Sequence, residues 1–292
     1  MNGKWTIVTG SNAGIGKEIV RALAAKGYPV IMACRNREKA KQACSEITRE
    51  TGNKEIEVLP LDLASFRSVI DFTERIKTEG FEIRTLINNA GSMNKEYQAT
   101  RDGFEMTFGV NYLGASLLTK LLLPLLSETE DARIINTTSL THRIARIDAG
   151  IFKANPDKYR RFSAYPASKL AVLLFTLELA ERLENSAISV YAADPGVVDT
   201  GMISMQSWYD PLTDLVFRPF IKSAERGAET SLFLATAGKK EISGDNKPLL
   251  FSGCRSRKVA PSVVNHPYRK QLWRDTELLF LNWHDDLGTI EL

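Results

Sequence analysis

Cysteine and histidine are scarce: the 292-residue chain has three of each. Cys34, Cys44 and Cys254 are odd in number, widely spaced and form no C-x-x-C or Cys/His cluster. That excludes a disulfide framework and fits a reducing compartment. His142, His266 and His284 lack metal-ligand spacing, so no metal site is expected. A basic patch is missing as well. The 38 basic and 35 acidic residues are interleaved to a net charge of +3, which leaves no electrostatic footprint for nucleic acid. Long apolar runs are also absent. The longest, LLTKLLLPLL at 117–126, contains Lys120 and Pro124 and is too short to span a bilayer. The first strand starts at once with KWTIVTG, leaving no room for a targeting segment. The expectation is a soluble, cytoplasmic protein with no integral membrane segment.

With 43% hydrophobic and 25% charged residues, the chain can build a substantial core. Short Val/Ile-rich runs alternate with stretches of helical period, the pattern of βαβ units and a parallel sheet. Strands are expected near 4–9, 29–33, 55–60, 84–88, 132–138, 188–194 and 248–251. Helices are expected near 15–26, 37–51, 66–79, 102–128, 165–184 and 224–237. With no linker or internal repeat, this reads as one doubly wound α/β domain over 1–292, a seven-stranded parallel sheet with helices on both faces. Residues 140–164 and 201–223 interrupt the alternation after strand ends, the latter with Met202, Met205, Trp208, Tyr209, Phe217 and Phe220. They are candidate walls of a substrate pocket, apolar and adaptable in the second case, and equally compatible with packed excursions. A C-terminal extension, 252–292, should carry a helix over 269–281 and fray in its last residues.

Gly10, Gly14 and Gly16 lie between the first strand and first helix in VTGSNAGIGKEI. The spacing matches neither G-x-G-x-x-G nor a Walker A loop, but the physics is shared. Free N–H groups at a helix N-terminus attract a phosphate, and missing side chains let it approach. A purely structural turn would look the same. The second strand ends MACRNREKA, with Arg35 and Arg37 where NAD-binding chains often place an acid. A guanidinium can clasp a 2′-phosphate, so NADP(H) is preferred, with NAD(H) still open. Asp62 and the run Asn88, Asn89, Ala90, Gly91 stand at the ends of the third and fourth strands, where they suit a backbone passing close to a flat ring, or serve as caps and turns.

In AYPASKLAVLLFTLELAERL, Tyr165 and Lys169 are four residues apart and share a helical face. An ammonium beside a phenol favours phenolate, making a tunable proton donor. The same helix is apolar on more than one face. The surplus could form a homodimer contact, or the C-terminal segment could cover it.

Together, TGSNAGIG (9–16), Asp62–Leu63, NNAG (88–91), Asn111 in GVNYLG, Ser139 in NTTSL, YPASK (165–169) and PGVVDT (195–200) resemble the short-chain dehydrogenase/reductase family over residues 4 to 251. ACRN, the long gap from Ser139 to Tyr165, SKLAVLLFTLELAERL and QLWRDTELLF are similar to its retinol-dehydrogenase-like and protochlorophyllide-reductase-like branch. The resemblance implies a Rossmann fold and an NADP(H)-dependent oxidoreductase interconverting a carbonyl and an alcohol, on a lipophilic aldehyde, ketone or alcohol. Tyr165 would be the general acid or base and Ser139 would hydrogen-bond the substrate oxygen. Lys169 would hold the nicotinamide ribose and lower the Tyr165 pKa, and Asn111 would position a water. Gly10, Ser11, Gly14, Ile15 and Gly16 would shape the pyrophosphate turn, and Asp62 and Leu63 would meet the adenine. Asn89, Ala90 and Gly91 would lie along the ribose and phosphates, and Pro195, Val198 and Thr200 would hold the nicotinamide end. Reduction of a carbon–carbon double bond and a non-catalytic NADP(H) sensor are the alternatives. Retinoid chemistry itself does not follow, because membrane-associated relatives commonly have an N-terminal hydrophobic segment that is not seen here.

Overall fold

The computed structural model describes residues 3–153, 155–196, 223–243 and 249–285. Val198, Thr200, most of 201–223 and the final DLGTIEL beyond Asp285 lie outside them. Six strands come before residue 196: β1 Lys4–Thr9, β2 Val30–Cys34, β3 Ile56–Pro60, β4 Glu82–Asn88, β5 Arg133–Thr137 and β6 Ser189–Asp194. β7 Leu250–Ser252 and β8 Arg255–Arg257 follow. The sheet order is β3-β2-β1-β4-β5-β6-β7-β8, so the chain reverses direction across the sheet between β1 and β4. Such a switch point is where open α/β sheets bind ligands.

Seven strands are parallel, as expected, and an eighth is added: β8 pairs antiparallel with β7. Gly253 and Cys254, with φ +60° and +58°, form the two-residue turn between them. Positive φ at both central positions matches the twist of a hairpin, but a Gly-Cys pair with three exposed residues after it is a faint sequence signal.

The helices are α1 Gly14–Ala25, α2 Arg37–Thr51, α3 Phe66–Thr78, α4 Met106–Ser127, α5 Arg161–Arg182, α6 Ala224–Thr236, α7 Lys239–Ser243, α8 Pro261–Val264 and α9 Arg269–Asp285. Two cores form, one on each sheet face. Ile7, Leu86, Ile134 and Ala192 face α3, α4 and α5, while Val8, Ile87, Ile135 and Ala193 face α1 and α6. This alternation along each strand is the period-2 pattern of a sheet buried on both sides.

Helix α4 starts at Met106 rather than near 102. Gly103, at φ +85°, turns the chain, and the Glu105 carboxylate accepts the N–H groups of Thr107 and Phe108 at 2.7 and 2.9 Å. Within α4, Gly109–Gly114 makes a π-helical turn around Asn111. Helix α5 begins at Arg161, one turn earlier than expected. Pro166 forgoes one bond to the carbonyl of Phe162, which lies in the exposed first turn. Both helices are 22 residues long and apolar enough to cross a membrane by length and composition, longer than the run of 117–126 suggested. In each, 72% of the most apolar stretch is buried inside the fold.

Helix α9 lies on the outer face of α5. Trp273 stacks on Phe175, Arg269 pairs with Glu178 and Glu181, and the Tyr112 and Thr276 hydroxyls bond at 2.7 Å. The C-terminal segment therefore covers the apolar surplus of α5.

Candidate active site

The C-terminal ends of the parallel strands open into a cleft of about 730 Å³. At its centre, the turn after β1 leads into α1, whose N-cap Ala13 makes no side-chain cap bond and whose first turn has no acidic residue. The free N–H groups there are an unsatisfied anion site. The three glycines have different causes. A Cβ on Gly10 would lie 2.8 Å from the Ala90 Cα, and one on Gly16 would collide with the Gly10 carbonyl oxygen and the Asn89 amide. Those two are glycine because the end of β4 packs against the turn. Gly14, at φ +53°, opens the helix and lines the cleft with Ile15.

Asn89 fastens this junction. Its amide donates to the Thr9 and Gly10 carbonyls at 3.0 and 3.4 Å, and its own N–H donates to Thr9 Oγ1 at 3.0 Å. Ser11, expected at the phosphates, faces inward instead: its hydroxyl donates to the Val8 carbonyl at 2.9 Å and touches Cys34 Sγ at 3.3 Å. Asn12 and Ala13 line the cleft in its place.

At one end of the cleft, Arg35 and Lys39 line the wall together with Asn36, the N-cap of α2. Arg37 is exposed but not part of that wall. Residues two apart on a helix point about 200° apart, so Lys39 faces the cleft where Arg37 cannot. Asp62 and Leu63 lie on the same side, with Asp62 Oδ1 accepting the Ala64 N–H at 3.1 Å.

The other end contains Tyr165 and Lys169, with Thr137, Thr138 and Pro195 beside them. Lys169 is 4% exposed, and its Nζ donates to the Thr137 carbonyl at 2.9 Å, 5.7 Å from the Tyr165 ring centroid. Gly91 sits between this lysine and Asn111: a Cβ there would lie 3.7 Å from Lys169 Nζ and 3.6 Å from Asn111 Oδ1. Asn111 is buried, with both amide hydrogens donated. It donates to Ser168 Oγ and the Ser92 carbonyl at 2.9 and 3.0 Å and accepts the Ser92 N–H at 2.6 Å.

Ser139 caps the short 3-10 turn Leu140–Ile144, its hydroxyl accepting the Thr141 N–H at 3.3 Å, and acts on the Tyr165 phenol as a neighbouring polar group. Buried His142 donates from Nδ1 to the Ser139 carbonyl at 2.6 Å, an anchor that a scattered histidine gave no reason to expect. Burial lowers the His142 pKa.

Burial also raises the Tyr165 pKa above its ordinary value, against the Ser139 hydroxyl that lowers it. The lowering comes from Ser139, not from Lys169 as expected, and Asp194 adds to the rise. The buried ammonium has itself fallen to about 8, chiefly by desolvation, with Asp194 acting in the opposite direction. Tyr165 is thus a protonated phenol at neutral pH.

Sequence reading missed Ser92, Asn94, Gln98, Met106 and Val110, which line the cleft between its two ends. Only proximity to NNAG and GVNYLG could have flagged them. None of the described residues of 140–164 lines the cleft. That segment backs the wall instead: the Tyr159 hydroxyl donates to the Asn94 carbonyl at 2.7 Å, and Phe152 packs edge-on against Phe108 at 5.4 Å.

A glycine turn at a sheet switch point and a Tyr-x-x-x-Lys pair at the far end of one cleft define a nucleotide-dependent oxidoreductase. The chain belongs to the short-chain dehydrogenase family, whose model matches residues 4–209. It is 41% identical over 283 residues to retinol dehydrogenase 12 of Homo sapiens, covering 96% of this chain and 88% of that protein. Retinol dehydrogenase 13 of Homo sapiens is 39% identical, with 95% and 84% covered. A crystal structure of a protein from Mycobacterium Paratuberculosis superposes with a TM-score of 0.74 at 31% identity, covering 94% of this chain and 92% of that one. A short-chain dehydrogenase from Sphingobium yanoikuyae, solved in complex with NADPH, shares the fold at a TM-score of 0.64 and 20% identity, with 99% and 98% covered.

Proposed function

We propose that this oxidoreductase uses NADP(H) to interconvert a lipophilic carbonyl compound and its alcohol. The observation that carries the reading is the single cleft joining the open α1 N-terminus and the Arg35–Lys39 wall to Tyr165 and Lys169. The residues fit a dinucleotide phosphate: α1 offers free N–H groups for a pyrophosphate, and two cations, Arg35 after β2 and Lys39 in the first turn of α2, suit a 2′-phosphate. The nicotinamide, when bound, supplies the hydride chemistry.

The protein residues supply the proton and hold the substrate. In reduction, the Tyr165 phenol, kept protonated by its buried surroundings, donates its proton to the substrate oxygen. Ser139, oriented by the His142 bond to its carbonyl, hydrogen-bonds the same oxygen as negative charge develops there. The Lys169 ammonium favours the phenolate left behind and holds the ribose hydroxyls. Asn111 fixes Ser92 and Ser168 on either side of Gly91 and Lys169 and so sets the floor of the site. Pro195, Val198 and Thr200 keep their proposed place at the nicotinamide end.

Apolar side chains support a lipophilic substrate: Met106 and Val110 in the cleft wall, and exposed ones outside it near the catalytic pair. Leu140 and Ile144 follow Ser139 on a turn packed against α5, and Phe162, 65% exposed, lies one helical turn before Tyr165. The relatives named retinol dehydrogenases put isoprenoid alcohols and aldehydes first in the panel. A cytoplasmic location is kept as part of the proposal; the two long apolar helices are taken up in the core of the fold.

The test is nicotinamide absorbance with purified protein, NADPH or NADH, and aliphatic, aromatic and isoprenoid aldehydes and ketones. Turnover with NADPH to the alcohol, reduced about 10²–10⁴-fold or more in Tyr165→Phe with cofactor binding intact, is expected. A saturated carbonyl product, or tight cofactor binding with no turnover, would replace the reading with double-bond reduction or sensing.

A further inference from the structure

Asp194 ends β6, is 2% exposed, and has no part in the chemistry above. It stands at the sheet edge where the two halves of the catalytic end meet. β5 and β6 pair as far as Thr137 and Ala193, and the Thr138 N–H donates to the Ala193 carbonyl at 2.9 Å. The strand leading to Ser139 therefore runs beside the residue preceding Asp194. On the other side, the Gly196 N–H donates to Asp194 Oδ1 at 2.9 Å, with Gly196 at φ +79°, which holds the turn carrying Pro195 into the cleft.

Lys169 is fastened to this same edge through the Thr137 carbonyl, which offers its ammonium a hydrogen-bond acceptor but no charge. A nearly fully buried ammonium is costly unless an anion compensates it. The ionisable groups gathered here are Tyr165 and Lys169 from α5, His142 and Arg143 from the turn after β5, and Asp194 from β6. Side chains alternate along β6, with Ala193 on the α1 and α6 face and Ala192 on the face covered by α5, so Asp194 projects to the face from which Lys169 and Tyr165 come, and its negative charge favours the protonated form of Lys169, Tyr165 and His142.

We propose that Asp194 is a positioning residue for the reaction: anchored on the Gly196 amide, it is the buried counter-charge that keeps Lys169 an ammonium beside Tyr165. The assignment rests on the catalytic reading above. Its sign is unambiguous, because removing one buried negative charge makes every neighbouring proton easier to lose. Both limbs of the pH profile then move the same way, whereas a residue that only shaped the turn would alter KM or stability and leave them in place.

Asp194→Asn in the full chain removes the charge and keeps an oxygen for the Gly196 N–H. Two readouts apply: the pH profile of kcat/KM with the best carbonyl of the panel, and the titration of Lys169 by NMR of protein with ¹³C at lysine Cε, assigned through Lys169→Arg. The variant is expected to move both limbs, and the Lys169 titration, to lower pH by about one unit, tenfold in proton concentration. Limbs and titration within about 0.2 unit of wild type would overturn the proposal. Should Asp194→Asn not fold, Asp194→Ser carries the same readouts. In the wild-type protein itself, a Lys169 amine already neutral at pH 7 would also overturn it. If no carbonyl is turned over, the catalytic reading fails on its own, and the NMR titration still decides the charge pairing.

Discussion

Trp273 lies nearly parallel to Phe175, with ring centroids 5.3 Å apart and planes 14° apart, and the Lys120 ammonium and Arg182 guanidinium sit 4.1 and 4.4 Å from the indole. One side chain from the C-terminal helix thus binds a phenylalanine of α5 and cations of α4 and α5. A second copy of the chain could reach this face of α5 only by displacing α9.

The full chain is accordingly expected to form no dimer through α5. Size-exclusion chromatography with light scattering should give a single-chain mass, and a dimer whose interface maps to 269–285 would reject the expectation. Trp273→Ala should destabilise the fold by about 3–5 kcal/mol, measured by chemical denaturation, because it empties a buried aromatic site.

Removing the Arg35 and Lys39 charges together should raise KM for NADPH by roughly 10–100-fold, the worth of one or two charge-assisted hydrogen bonds. KM for NADH should barely change. Arg37→Ala, outside the cleft wall, is the control, and an equal loss in that variant would relocate the phosphate contact.

Lys169 offers a test of stability against pH. Its pKa in the folded chain, about 8, lies below the 10.5 of an unperturbed lysine. The unfolded chain therefore binds more protons between those values, and the buried ammonium costs stability below pH 8, a cost that fades as pH rises toward 10.5. Wild-type stability should therefore rise between pH 7 and pH 9.5 by more than that of Lys169→Met, which also abolishes turnover. Urea denaturation of both proteins at the two pH values checks this, and an equal rise in the two would contradict it.

Gly16→Ala should lower the unfolding temperature and weaken NADPH binding together, because the added methyl collides with the Gly10 carbonyl and the Asn89 amide that set the turn. Gly27, where an added Cβ meets nothing within 4 Å, lies at φ +76°. Alanine there should cost stability only, through backbone strain, and leave cofactor affinity unchanged.

The strands and most helices were legible because their signals are local: short apolar runs for β1 to β7, helical period for α1 to α6. So was the association of the glycine turn with Tyr165 and Lys169, through the family resemblance that the joint motifs carry. What was not legible depends on burial and facing. Lys39 replaces Arg37 because of helical phase at one cap. Ser11 turns inward because Val8 and Cys34 offer it partners across the first two strands. The Tyr165 pKa rises because its surroundings are dry, which adjacency to a lysine could not reveal. Asp194 stood in plain view before Pro195, and only the folded chain places it beside three ionisable groups.

The wide turn at Gly109–Gly114 limits which changes of length the chain can absorb. A π turn has one residue more than the α turn it replaces. Deleting any one of those six residues would restore a regular helix and rotate Glu105 to Phe108 by about 100° against the rest of α4. Gly109 would leave the Thr100 side chain it packs on, and Met106 would leave the cleft. Substitutions can tune this stretch, but its length is as much a part of the site as Asn111 itself.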